Sequence, residues 1–127
     1  MPMTILLVDD DAIQGAIRKA ILTRSGHEVI VASEGQQALT LLENPETSQH
    51  IGMIITDHIM PRMNGPQFIS ELRTRFPELP VLVLSGLPGG ESEYEGLNIL
   101  YRLKPLAPEE LIRLTRTILG DPLGRTA

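Results

Sequence analysis

Two hydrophobic periods alternate along this chain. Short, mainly apolar runs fall at residues 4–8, 28–32, 52–56, 80–84 and 98–103. Between them the apolar residues return at helical spacing. Ile13, Ala16, Ile17, Ala20 and Ile21 recur at i, i+3, i+4, i+7 and i+8, which predicts a helix with that stripe turned to the core. Asp11 is a candidate cap for its start and Gly26 for its end. Ala38, Leu41 and Leu42 mark a second helix, from a Ser33 cap to the stop at Asn44-Pro45. A third opens at Pro66, carries Phe68, Ile69, Leu72 and Phe76, and stops at Pro77. A last helix opens at Pro108, carries Leu111, Ile112, Thr115, Ile118 and Leu119, and ends at Gly120.

Strands alternating with helices predict βαβ units and a parallel sheet. The runs are mainly apolar, as expected for strands covered on both faces. Right-handed crossovers then bring every carboxyl end to one edge, where such sheets bind ligands. That edge collects polar groups. Asp9-Asp10-Asp11 closes the first run, Asp57 the third, Ser85 the fourth, and Lys104 follows the fifth. One segment breaks the alternation: Gly86 to Gly96 holds glycines, a proline and three acids but no apolar stripe, so any helix there should be short and weakly docked. The tail from Asp121 to Ala127 is expected to fray.

Composition narrows the chemistry. A length of 127 residues suits one domain, here 1–127 with a core of about 4–119 and a tail at 120–127. There is no cysteine, which removes disulfides and thiolate metal sites and suits a reducing cytoplasm. No apolar run approaches the roughly 20 residues of a membrane span, and Met1-Pro2-Met3-Thr4 does not read as a signal peptide. Membrane insertion is therefore not expected. A net charge of -5 gives no electrostatic footprint for nucleic acid. His27, His50 and His58 read as surface or loop histidines, and none is assigned as a ligand.

Carboxylates gathered at one rim repel. Two unit charges about 4 Å apart cost roughly 4 kcal/mol at an effective dielectric near 20. Such a site must hold a proton or a cation. All-oxygen donors favour Mg²⁺, Mn²⁺ or Ca²⁺, and few carboxylates with room for water and phosphate oxygens suit Mg²⁺ best. Asp9 and Asp10 are the candidate metal ligands, with Asp57 completing the site. A carboxylate beside such an ion can attack a phosphoryl group and form an aspartyl phosphate. Lys104 is the candidate cation for the transferred charge and Ser85 the candidate hydroxyl donor. Each residue alone has an ordinary explanation as a cap, a turn residue or a surface charge. Their joint position at successive strand ends is what points to chemistry.

These residues carry a family resemblance. Ile5-Leu6-Leu7-Val8-Asp9-Asp10-Asp11, the Asp57–Gly65 stretch with Met60-Pro61 and Asn64-Gly65, Ser85-Gly86 and Lys104-Pro105 stand in the order and spacing of the receiver domain of two-component response regulators. The chain resembles that family over about residues 4–119. The resemblance implies a flavodoxin-like (βα)5 fold, a doubly wound five-stranded parallel sheet in the order 2-1-3-4-5, here with a shortened or irregular fourth helix. It implies that Asp57 is the phosphoacceptor, that Asp9 and Asp10 serve Mg²⁺ (with Mn²⁺ as a substitute) and that Asp10 is a direct ligand. The backbone carbonyl of Ile59 would be a further ligand. Ser85 and Lys104 would contact the phosphoryl group, and Tyr101 would be the switch aromatic that follows Ser85. The Lys104-Pro105 bond would be cis.

The implied role is that of a phosphoprotein in bacterial two-component signalling. It would act in the cytoplasm and take its phosphoryl group from a sensor histidine kinase or a histidine phosphotransfer protein. It would then regulate a downstream protein and catalyse only its own phosphorylation and dephosphorylation. His58 departs from the apolar residue usual after the phosphoacceptor, and the altered fourth helix suggests partner contacts through a different or more mobile surface. The sequence ends after its last helix, so it reads as a stand-alone regulator or a receiver excised from a longer protein. Two rivals stay open. One is a receiver-like binding module that is never phosphorylated. The other is a small Mg²⁺-dependent phosphatase of the haloacid dehalogenase type, although that pattern wants Thr where Ile13 stands.

Overall fold

The computed structural model describes residues 3–121, so the expected fraying of the tail beyond Asp121 lies outside the described residues. The strands are β1 (Thr4–Val8), β2 (Glu28–Ala32), β3 (Ile51–Asp57), β4 (Val81–Ser85) and β5 (Leu100–Leu103). The α-helices are α1 (Ala12–Arg24), α2 (Gly35–Glu43), α3 (Pro45–Ser48), α4 (Gly65–Arg75) and α5 (Pro108–Leu119), and a 3-10 helix spans Gly90–Tyr94. All strands pair in parallel, in the order β2-β1-β3-β4-β5. The parallel sheet is the one expected from the alternation of periods, and its doubly wound, flavodoxin-like order is the one the family resemblance implies. The Lys104-Pro105 peptide bond is cis.

Each strand sends alternate side chains to opposite faces, which splits the core in two. Leu6, Val8, Ile54, Val81 and Val83 pack with Ala38, Leu42, Phe68 and Leu72 of α2 and α4. Ile5, Leu7, Met53, Ile55, Leu82 and Leu84 pack with Leu22 of α1 and with Leu111 and Leu114 of α5. Local signals fix several ends. Asp11 Oδ1 accepts from the backbone N–H groups of Ile13 and Gln14 and caps α1, as expected. Asn64 and Gln67 form a reciprocal capping box ahead of α4. The guanidinium of Arg73 donates to the carbonyls of Phe76, Leu79, Leu97 and Asn98, tying the end of α4 to the approaches of β4 and β5.

Four expectations need correction. The Ile/Ala stripe of α1 is not core: Ile13 is 74% and Ile17 55% exposed, and the buried residues are Gly15 and Leu22. Periodicity says which residues share a face, not which face turns inward. Second, β2 is an edge strand and is open to solvent at Ile30 and Val31, although its sequence reads like a covered one. Third, Ser33 does not cap α2. Its backbone N–H and hydroxyl instead donate to Gln37 Oε1, the helix begins one residue later than a Ser33 cap requires, and the short helix α3 follows on an Asn44 cap. Fourth, His27 and His58 are buried rather than superficial. Burial, with Arg116 nearby, holds the His27 imidazole below its ordinary pKa.

Candidate phosphoacceptor site

The sheet ladder continues one residue past the strands at their carboxyl edge. Asp9 N–H donates to Ala32 O at 3.0 Å, His58 N–H to Leu84 O at 3.0 Å, and Lys104 N–H to Ser85 O at 2.7 Å. These bonds hold the chain where the apolar runs end. The backbone at Asp9, Asp57, Ser85 and Lys104 is therefore fixed by the sheet.

Asp9, Asp10 and Asp57 each present a carboxylate oxygen such that all three lie within 4.8 Å of one another. Asp9 and Asp57 are buried and Asp10 is exposed. Asp11, the third acid of the run, is occupied as the α1 cap. Lys104 Nζ sits 2.7 Å from Asp57 Oδ1. Its approach makes an ion pair but lies off the hydrogen-bonding direction, and Oδ1 accepts no hydrogen bond. Burial pushes the Asp57 carboxyl up from an ordinary 3.8 to about 6, the neighbouring Asp9 adds to the rise, and Lys104 opposes it. Asp57 is thus largely ionised near neutral pH yet more basic than a surface carboxylate, a useful combination in a nucleophile. Hard oxygen donors at this spacing fit a small divalent cation such as Mg²⁺.

Ser85 is the buried last residue of β4, and its Oγ accepts from Leu87 N–H at 2.9 Å. Ile59 lies in the loop after β3 with its side chain 66% exposed. Tyr101 is already buried against the sheet, and its hydroxyl donates to Leu87 O at 2.6 Å. Beside the acids lies a groove of about 440 Å³ whose lining includes Ile17, Arg18, Ile21, Lys104, Pro105 and Leu106.

Two features escaped the sequence reading. The first is Arg18, which donates from Nη1 to Asp9 Oδ2 and lies 3.7 Å from Asp57 Oδ1. The spacing Gly15, Arg18, Leu22 is i, i+3, i+7, a helical face that the stronger Ile/Ala stripe concealed. The second is the environment of His58. Its Nε2 lies 3.1 Å from Glu93 Oε2 and its Nδ1 2.7 Å from the Tyr94 hydroxyl. His58 thus bridges the Glu93 carboxylate and the Tyr94 hydroxyl through its two ring nitrogens. Tyr101 stacks edge-on to the same imidazole, with ring centroids 6.0 Å apart. The 3-10 helix is as short as expected but not weakly docked: Tyr94 is buried and anchors it on the residue after Asp57. A lone tyrosine in a Gly- and Glu-rich segment was the available signal.

Residues 5–116 match the family model of the response regulator receiver domain. The response regulator MprA of Mycolicibacterium vanbaalenii is 34% identical over 136 residues, an alignment that takes in 100% of this chain and 57% of that protein. The chain thus spans little more than half the length of that relative. The chemotaxis protein CheY homolog of Campylobacter jejuni is 32% identical over 98% of both chains. Among solved structures, the chemotaxis protein CheY4 of Vibrio cholerae superposes with a TM-score of 0.83 at 26% identity, covering 94% of this chain and 100% of that one. With an acid-rich carboxyl edge on this sheet order and a family match across most of its length, the chain belongs to the response regulator receiver domains.

Proposed function

We propose that the chain, as one receiver unit with its core at about 4–119, accepts a phosphoryl group on Asp57 and uses it to switch a protein partner. The observation that carries this reading is the convergence of the Asp9, Asp10 and Asp57 oxygens within 4.8 Å, with Lys104 Nζ 2.7 Å from Asp57. Asp9, Asp10 and Asp57, with the backbone carbonyl of Ile59, would hold Mg²⁺ or Mn²⁺. When bound, that ion neutralises charge on the transferred group and its acceptor.

Asp57 Oδ attacks phosphorus, the P–N bond of a phosphohistidine on a sensor kinase or phosphotransfer protein breaks, and the imidazole leaves with the electron pair. The product is a mixed anhydride on Asp57. Lys104 offsets the charge on its oxygens, and the Ser85 hydroxyl donates to one of them. Phosphorylation draws Ser85 toward the phosphoryl group and Tyr101 follows it, a shift between two packings. The donor is a macromolecule, and the exposed Ile17 on the rim of the groove, with Ile13 exposed one turn earlier on α1, gives its surface an apolar landing strip. We place this exchange in the cytoplasm, with a downstream protein as its target.

The test is incubation with Mg²⁺ and acetyl phosphate, followed by intact-mass measurement. A gain of one phosphoryl group per chain, abolished by EDTA, supports the reading. No gain with any small donor favours the binding-module alternative, and steady turnover of a phosphate ester favours the phosphatase.

A further inference from the structure

Arg18 has no part in the function proposed above, yet it touches the heart of the site. It lies on the inward face of α1 between the buried Gly15 and Leu22. At Gly15 α1 passes directly beside Asp9: a Cβ there would meet Asp9 Cβ at 3.5 Å, an ordinary van der Waals contact. The guanidinium donates from Nη1 to Asp9 Oδ2 and lies 3.7 Å from Asp57 Oδ1. Its side chain is 16% exposed, against 1% for Asp9. Nη2 reaches Gln14 Oε1 at 3.3 Å, toward the exposed side of the helix. One permanent cation therefore engages two of the three carboxylates whose oxygens converge.

We propose that Arg18 is a built-in competitor of the divalent cation. This rests on reading Asp9, Asp10 and Asp57 as the metal site. A guanidinium has five donors and no lone pair to offer, so it cannot share a coordination sphere as a ligand. It is permanently charged, so it cannot yield by losing a proton. The arginine and the ion claim the same two carboxylates, Asp9 and Asp57, and like charges repel at such range. Metal entry then requires Arg18 to leave Asp9. The long side chain can do this by rotation, keeping Gln14 and gaining solvent as a partner, with no change in the backbone. The ion-pair energy surrendered at Asp9 is subtracted from the metal affinity. The device keeps the acids compensated at low divalent concentration and sets a threshold for loading them.

The test is calorimetric titration of the full chain with Mg²⁺ alone and with Mn²⁺ alone, for wild type, Arg18→Gln and Arg18→Lys. Arg18→Gln should bind the ion about tenfold more tightly, the factor produced by about 1.4 kcal/mol. Arg18→Lys, which keeps the charge but loses the planar fork, should fall between. A purely structural arginine would lower the thermal midpoint of the variant without tightening metal binding. Equal or weaker affinity in Arg18→Gln overturns the competition while leaving the metal site intact. No binding by either protein overturns the metal reading of the site and this inference with it. Should the variant fail to fold, the Nε–H resonance of Arg18 in the wild-type protein decides: it should move as Mg²⁺ is added, and an unmoved resonance at saturation overturns the proposal.

Discussion

Replacing Asp57 with asparagine should stabilise the protein in EDTA at neutral pH. The argument begins from the carboxyl held at about 6 instead of 3.8, first by burial and then by Asp9. A raised carboxyl binds its proton more tightly in the folded chain than in the unfolded one. Its favourable contribution is therefore complete below about pH 4 and is lost as pH rises through about 6. At about 1.4 kcal/mol for each pH unit, the gap amounts to about 3 kcal/mol of destabilisation at pH 7. Asparagine keeps the shape and carries no charge, and the value of about 6 already includes the opposing pull of Lys104. A net gain of about 1–3 kcal/mol is expected once solvent screening is allowed for. Urea unfolding in EDTA from pH 4 to pH 8 measures it. The gain should be largest at pH 7 to 8 and should vanish toward pH 4. A destabilised variant at pH 7, or a difference that does not depend on pH, would refute the reasoning.

Three further outcomes follow from named contacts. Lys104→Met removes the ammonium 2.7 Å from Asp57 and should slow phosphorylation by acetyl phosphate about a hundredfold; an unchanged rate in a stopped-time mass assay would contradict its role. Gly65→Ala places a Cβ against the Tyr94 hydroxyl and 2.9 Å from the His58 carbonyl, so it should cost about 2–3 kcal/mol in urea unfolding, and a neutral result would mean the 3-10 helix is not held there. Tyr94→Phe leaves His58 Nδ1 without its 2.7 Å partner and should cost about 1–3 kcal/mol, with faster amide exchange across residues 90–94. Unaltered exchange would show that this bond does not hold the segment.

The parts of the site that were legible in the sequence are those fixed by a single strand. An apolar run of the right length ended by Asp9, Asp57 or Ser85 states both a strand and the group at its tip, and parallel topology then brings the tips together. The parts that were not legible depend on orientation or on distant partners. Arg18 occupies the inward face of α1, but the hydrophobic stripe of that helix turns outward at Ile13 and Ile17. An apolar stripe that faces solvent is indistinguishable in sequence from one that faces the sheet. His58 needed Glu93 and Tyr94, which lie across a segment with no periodic signal. The same segment became ordered through one aromatic contact rather than through a helical stripe, so a propensity argument undervalued its docking.

The central claim is that the acids, the ammonium and the hydroxyl at this sheet edge make one particular carboxyl a phosphoryl acceptor. Reducing the phosphorylated protein with borohydride converts an acyl phosphate to the alcohol, and peptide mass spectrometry then identifies the modified residue. The conversion should appear at Asp57 and nowhere else, and only when Mg²⁺ or Mn²⁺ accompanied the donor. Label at Asp9 or Asp10, or at a serine or histidine that borohydride leaves unreduced, would contradict the account.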